Sequence, residues 1–309
     1  MKLIEEEFFK KFSDIDIEQI PHIWIVGSPR VGSTILYLVL AKLFGFTYFS
    51  NLVNDFYFDS PSVGICLQNQ FDYHSCIDFK NQYGKTEGLF NPNEASLIFR
   101  KWFGGTHPTQ VHSKDVIPEQ VENFLGTFRT IFGITNKFFI NKNQWNSFRV
   151  EAINKLLPKS VFIWIRRDIR YASCSTLTTR KSQGSKYKWN SATLSNYEEI
   201  QKFPFWQQVV EQQYWHNLSI LETLEKIDGT KHMEIWYRDF CLSADSVICE
   251  IEKFLNDNDI PLKADPDIKL TLPIQYSMSE KAKNTMELEL IEDYCDNDRF
   301  ELYKYQDKS

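Results

Sequence analysis

Short apolar runs alternate with longer segments of helical spacing along most of the chain. His22 to Val26 (HIWIV), entered from Pro21, predicts a short buried strand. Thr34 to Phe44 carries its apolar residues at helical spacing and meets Gly45, a residue suited to a helix C-terminus. A second unit opens with a strand from Lys137 to Asn141 (KFFIN), continues as a helix from Asn146 to Leu157 and stops at Pro158. Val161 to Ile165 (VFIWI) predicts a third strand, followed by a helix to about Arg180. After a polar stretch, Phe205 to Ile227 reads as a long amphipathic helix capped by Gly229. Met233 to Trp236 is a further strand, and Ala244 to Leu255 a further helix with Ser243 as its N-cap. This alternation predicts an α/β protein with a parallel central sheet flanked by helices. No repeat or low-complexity linker interrupts it, so a single domain over residues 1–309 is expected. In such sheets ligands bind beyond the carboxyl ends of the strands, and the distinctive polar residues all follow strands.

Composition narrows the partners. A chain of 309 residues that is 42% hydrophobic can build a full core, and 25 Phe with 8 Trp point to a bulky one. A net charge of −6 and a pI near 5.6 argue against broad attraction to nucleic acid or anionic membranes, while leaving room for a local basic pocket. The six cysteines (Cys66, Cys76, Cys174, Cys241, Cys249 and Cys295) form no C-x-x-C pair and no zinc-like cluster with histidine. They read as reduced thiols of a cytoplasmic protein, with no metal site expected. The N-terminal MKLIEEEFFKKFSDID has no secretory character, and no later window reaches membrane-spanning length.

The chemistry is concentrated in two segments. Gly27 to Thr34 (GSPRVGST) matches the phosphate-cradling pattern G-x-x-x-x-G-K-[ST] at both glycines and at Thr34. Ser33 stands where the lysine belongs, and Arg30 is the only cation nearby. Amide groups in a glycine-rich turn at a helix N-terminus favour an anion. Without the lysine, a triphosphate with magnesium is poorly supported. A less charged terminal group could be held by amides, hydroxyls and one arginine. A plain strand–turn–helix with Ser and Thr as caps leaves an arginine in so tight a turn unexplained. In VFIWIRRDIRYASCSTLTTR (161–180), Arg167 follows a strand and Ser175 lies two helical turns on. A fork donor and a hydroxyl so placed can meet around one phosphate.

Together these segments resemble the sulfotransferases that use 3′-phosphoadenosine 5′-phosphosulfate, a branch of the P-loop architecture. That family's G-x-P-R-[ST]-G-T-T stands here as Gly27-Ser28-Pro29-Arg30-Val31-Gly32-Ser33-Thr34, and its R-D-P-R-x-x-x-x-S as Arg167 through Ser175. NKNQWNSFR (141–149) resembles its K-[NDTS]-P element, and IWYRDF (235–240) its Y-E-D-[LF] segment. GFTYFSNLVNDFYFDSPSVG (45–64) and NPNEASLIFRKWF (91–103) are similar to the bacterial members. Val31, Ser33 and Ile169 depart from the pattern, and the C-terminal K-G-x-x-G-x-W-K clamp of cytosolic members is absent.

The resemblance implies a metal-independent sulfuryl transfer with the Gly27–Thr34 loop, Arg167 and Ser175 holding the donor. It assigns Arg30 to the 5′-phosphate and the transferring group, and Lys142 to the leaving oxygen. Glu94 is the first candidate for general base and Asp55 the second, with His107 and His112 behind them. Ser277, Ser279 and Lys281, or Arg180, are candidates to close the 3′-phosphate side. Residues 50–135 and 181–203 are the expected acceptor-side insertions. Their Phe, Tyr, Asn and Gln suit a small-molecule, lipid, sugar or peptide acceptor better than a strongly anionic one. Two other readings stay open: a P-loop kinase or NTPase using Asp168 or Asp239 for metal, and a non-catalytic nucleotide-binding protein on the same fold. Oligomeric state is not legible.

Overall fold

A computed structural model describes residues 1–79, 81, 82, 84–105, 112–271 and 286–306. The protein is α/β, with a central parallel sheet of four strands in the order β4-β1-β5-β6. These strands are β1 (His22–Val26), β4 (Phe139–Lys142), β5 (Ser160–Arg166) and β6 (His232–Trp236). Two short strands, β2 (Asn81–Gln82) and β3 (Lys85–Thr86), pair antiparallel between β1 and β4 in sequence. In the register of the sheet, His22 stands opposite both Phe139 and Ser160, and Phe162 opposite His232. All four strands therefore run the same way, and their C-terminal ends share one edge.

Strand alternation feeds two cores. Ile23, Ile25, Ile163 and Ile165 belong to the cluster on one face, and Trp24, Val26, Phe162 and Trp164 to the cluster on the other. The second face explains the Phe-rich composition. Trp24, Phe49, Phe99, Phe128 and Phe139 meet mostly edge to face, with centroids 5.0 to 6.4 Å apart.

The helices, in chain order, begin with α1 (Lys2–Lys11), α2 (Ser33–Leu43), α3 (Asn51–Phe56), α4 (Pro61–Gln68) and α5 (Ser96–Phe103). Next come α6 (Pro118–Thr135), α7 (Val150–Leu156), α8 (Ile169–Ser182), α9 (Tyr197–Ile200) and α10 (Phe205–Leu224). The last are α11 (Tyr237–Leu242), α12 (Ala244–Asp257), α13 (Pro266–Thr271) and α14 (Met286–Cys295).

Two expected helix boundaries move, and one expected cap makes no bond. The helix expected from Asn146 is a 3₁₀ turn, Gln144–Phe148, followed by α7. The Asn143 side chain caps that turn by accepting from the Trp145 amide, and Arg149, at φ −118°, breaks the winding. Helix α10 ends at Leu224, and Gly229 opens a separate 3₁₀ turn instead of capping it, with the Asp228 carboxylate accepting from Thr230 N. Ser243 precedes α12, but its hydroxyl makes no capping bond.

Candidate active site

The loop after β1 is shaped by two left-handed residues, Arg30 at φ +67° and Gly32 at φ +87°. For arginine that conformation is strained by about 1–3 kcal/mol, and it persists only where the surroundings impose it. Three bonds fix the loop around Arg30. Gly27 N donates to Ser147 Oγ (3.2 Å), Gln213 Nε2 donates to the Pro29 carbonyl (2.9 Å), and Asn217 Nδ2 donates to Ser28 Oγ (3.3 Å). Neither glycine has room for a side chain. A Cβ at Gly27 would stand 2.7 Å from the Ile165 carbonyl, and one at Gly32 would stand 2.1 Å from the Tyr237 ring. Val31 is fully buried in the first core cluster. The position where the resembled pattern has a hydroxyl therefore faces the core here, not the cleft.

Beyond the strand ends lies a cleft of about 950 Å³ lined by Pro29, Arg30, Gly32, Ser33 and Thr34, and by Arg167, Ser175 and Lys142 from the other strand ends. Gly27, Ser28 and Val31 shape it from behind. At one end Arg30 Nε donates to Ser175 Oγ (3.3 Å), and Arg167 Nη1 donates to the Arg30 carbonyl (3.0 Å). The Arg167 guanidinium lies 5.1 Å from the centre of the Tyr237 ring. Burial lowers the Arg167 pKa from its ordinary value and pushes the Tyr237 hydroxyl up to about 12. The site thus carries a desolvated cation stacked on a neutral phenol.

At the other end Lys142, with its side chain 2% exposed, donates to Thr34 Oγ1 (3.2 Å) and is ion-paired with Glu94. Glu94 is seated by its neighbours. Asn143 Nδ2 donates to the Glu94 carbonyl (2.9 Å), Ala95 N donates to Asn93 Oδ1 (2.7 Å), and Asn93 Nδ2 donates to Asn51 Oδ1 (2.6 Å). Asp55 also lines the cleft and accepts from Asn54 Nδ2 (2.7 Å). Glu94 and Asp55 are the two carboxylates among the described lining residues.

Other sequence candidates lie elsewhere. Arg180 is a correction: it is fully buried, donates to Gln208 Oε1 (2.9 Å) and Gln212 Oε1 (3.0 Å), and lies over Trp189. Its guanidinium is committed between α8 and α10 and does not reach the cleft. His112 is exposed, with Nδ1 3.7 Å from Glu151, and does not line the cleft. Ser277, Ser279, Lys281 and His107 lie outside the described residues. Asp168 caps α8, accepts two bonds from the Arg170 guanidinium and accepts from Tyr305 N. Asp239 accepts from the Tyr305 hydroxyl, and neither aspartate lines the cleft. Among the described residues, no group of three or more His, Cys, Asp or Glu is placed to hold a metal ion.

Several lining residues escaped the sequence reading: Tyr237, Trp145, Gln144, Asn190, Ser191 and the β2–β3 residues Gly84 to Thr86. Tyr237 and Trp145 fall inside quoted motifs, but nothing in those motifs gave them a role. Asn190 and Ser191 belong to no motif.

The family profile described as "Sulfotransferase family" matches residues 21–258. Among solved structures, sulfotransferase STF9 from Mycobacterium avium is similar at 14% identity and a TM-score of 0.56, over 94% of this chain and 80% of that one. Sulfotransferase STF1 from Mycobacterium tuberculosis H37Rv is similar at 12% identity and a TM-score of 0.56, over 97% of this chain and 81% of that one. At these identities the likeness speaks for the fold alone. No curated protein matches the sequence. Among the described residues no helix is long and apolar enough to cross a membrane.

Proposed function

This chain belongs to the sulfotransferase family, and we propose that it transfers a sulfuryl group from 3′-phosphoadenosine 5′-phosphosulfate to a hydroxyl or amine of an acceptor. The observation that carries this reading is one cleft with two differently equipped ends. Arg30, Arg167 and Ser175 meet at one end, and Lys142 joins Thr34 to Glu94 at the other.

The donor set suits a nucleotide with two separate anionic groups. The loop offers amides and hydroxyls, the strand ends offer cations, and the position of a triphosphate-binding lysine is filled by Ser33. When bound, such a donor supplies a sulfuryl group already activated by its bond to phosphate. Arg167 and Ser175 would hold the 3′-phosphate. Gly32, Ser33 and Thr34 would hold the 5′ end through amides and hydroxyls at the start of α2. Arg30 serves both ends, because its backbone shapes the loop while its side chain reaches Ser175.

Lys142 would place its positive charge where negative charge develops on the leaving oxygen, a gain set by preorganisation in a water-poor site. Glu94 would take the acceptor's proton, and its ion pair with Lys142 fixes where that carboxylate points. Asp55 is the second candidate for the same role. The acceptor-side wall draws on both expected insertions, with Asn51, Asn54 and Asp55 from residues 50–135 and Asn190 and Ser191 from 181–203. The acceptor is proposed to be a small molecule, lipid, sugar or peptide. A cytoplasmic location is proposed on the ground that all six cysteines are free thiols.

Thermal stabilisation by ligand tests the donor. Adenosine 3′,5′-bisphosphate should raise the melting temperature without magnesium, and Arg167→Ala should abolish the rise. Stabilisation by ATP with magnesium alone would overturn the reading.

A further inference from the structure

We propose that Gln213 is a positioning residue that couples the loop after β1 to helix α8, the two elements proposed to hold the donor's 5′ and 3′ phosphates; this rests on the bisphosphate-donor reading above. Gln213 sits on α10, fully buried, behind the loop and outside the cleft lining. Its Nε2 donates to the Pro29 carbonyl (2.9 Å) and to Thr176 Oγ1 (2.9 Å). The side chain thus ties the loop after β1 directly to helix α8.

The chemistry of the two partners fixes which way this amide points. The Pro29 carbonyl can only accept. The Thr176 hydroxyl spends its proton on the Ala172 carbonyl (2.9 Å), so its oxygen is also an acceptor. Only a group with two protons to give satisfies both at once. Gln213 Oε1 has no hydrogen-bond partner among the described residues.

The neighbours of these partners are the functional residues. Pro29 precedes Arg30, Thr176 follows Ser175, and Arg30 Nε donates to Ser175 Oγ (3.3 Å). Two consecutive loop residues are therefore joined to two consecutive helix residues. One junction lies in the cleft, and the other runs behind it through Gln213. The circuit is closed, so displacing the loop at Pro29 also displaces Arg30 relative to Ser175. One turn along α10, Asn217 Nδ2 donates to Ser28 Oγ (3.3 Å) and steadies the loop from the same side. A ligand with phosphates at both ends draws on this alignment, whereas a ligand with a 5′-phosphate alone draws on the loop only.

Calorimetric titration with adenosine 3′,5′-bisphosphate and with AMP separates the coupling from general stability. Gln213→Leu should weaken bisphosphate binding roughly tenfold or more and AMP binding less, so the preference between them shrinks. Thr176→Val, a milder change that keeps shape, should shift the preference in the same direction. Ser175→Ala should cost less bisphosphate affinity in the Gln213→Leu background than in the native one. Gln213→Glu should regain part of its bisphosphate affinity, relative to the native protein, as the pH falls, because the protonated carboxyl has one proton to donate and can restore one of the two bonds. A purely structural role would lower the melting temperature but leave the preference, the Ser175 effect and the pH profile unmoved, which overturns the proposal. If the native protein binds bisphosphate with Arg167 dependence and folded variants keep that preference, the coupling alone fails. If the native protein does not bind bisphosphate, the donor reading and the coupling fall together.

Discussion

Lys142 is ion-paired with Glu94 while donating to Thr34, so one buried ammonium group touches both the phosphate-type loop and the cleft carboxylate. That shared contact separates chemistry from binding. Glu94→Gln keeps a polar group able to accept from Lys142, so the fold should hold, with some loss of stability because the buried ammonium loses its counter-charge. What it removes is the capacity to take a proton. Turnover with phosphosulfate donor and any working acceptor should fall by about 10²–10⁴, with adenosine 3′,5′-bisphosphate affinity within about threefold. Single-turnover rates measured beside equilibrium binding check this, and an unchanged rate would pass the role to Asp55.

Gly32 and Tyr237 make a second test. A Cβ at position 32 would stand 2.1 Å from the Tyr237 ring, and the φ of +87° is unfavourable for any side chain. Gly32→Ala should lower stability by about 1–3 kcal/mol through backbone strain. It should also weaken nucleotide binding, because the loop must open to admit the methyl group. Tyr237→Ala in the same chain removes the clash but not the strain. Gly32→Ala should therefore cost less when added to Tyr237→Ala than when made in the native chain, the remainder being the strain, as read by urea unfolding.

The parts of this arrangement that were legible in the sequence are those governed by local rules. Apolar runs with turn residues marked the four sheet strands to within about two residues, and the paired glycines marked the loop. Arg180 too is placed by a local rule. Ser175 and Arg180 are five residues apart, roughly 140° around a helix, so the two cannot share a face. Gln213 shows the opposite case. Its glutamine on an amphipathic helix carries no local mark, and its partner Pro29 is 184 positions away. Val31 was legible as a departure, but only the packing shows that its side chain points into the core.

Two fully buried histidines contribute most directly to the acid limit of stability. His22 and His216 are both pushed down to about 3 by burial. Between their ordinary pKa of 6.5 and that value, the unfolded chain binds protons that the folded chain refuses. Stability is therefore intact above about pH 6.5 and declines as the pH falls toward 3. Each histidine contributes a slope of up to about 1.4 kcal/mol per pH unit. Glu5, whose pKa is raised by burial, works in the opposite sense over its own window above 4.5. His74 and His232 are lowered by burial as well and add in the same sense, so His216→Leu should remove only its own share of the decline, up to about 1.4 kcal/mol per pH unit, if it folds, as read from urea midpoints at pH 5 and 7. An unchanged slope would mean that the imidazole is protonated in the folded chain.

Arg180 gives the sharpest separation of scaffold from site. Its guanidinium binds the side-chain oxygens of Gln208 and Gln212, and Gln212 Nε2 in turn donates to the Asn190 carbonyl (2.6 Å) on the cleft wall. Burial lowers the Arg180 pKa to about 10, the mark of a cation held by neutral dipoles and the Trp189 ring. Arg180→Met leaves two buried amide oxygens without donors, at about 1–3 kcal/mol each, partly offset because no charge is then buried. Arg180→Lys keeps the buried charge but cannot present the planar fork that reaches both glutamines. Melting temperatures should therefore fall in the order native, Met, Lys. All three proteins should bind adenosine 3′,5′-bisphosphate alike, because the guanidinium faces away from the donor end. Amide exchange at Asn190 and Ser191 should accelerate in both variants, since the brace behind that wall is gone. A bisphosphate affinity that dropped with Arg180 while the wall stayed protected would return this arginine to the phosphate site.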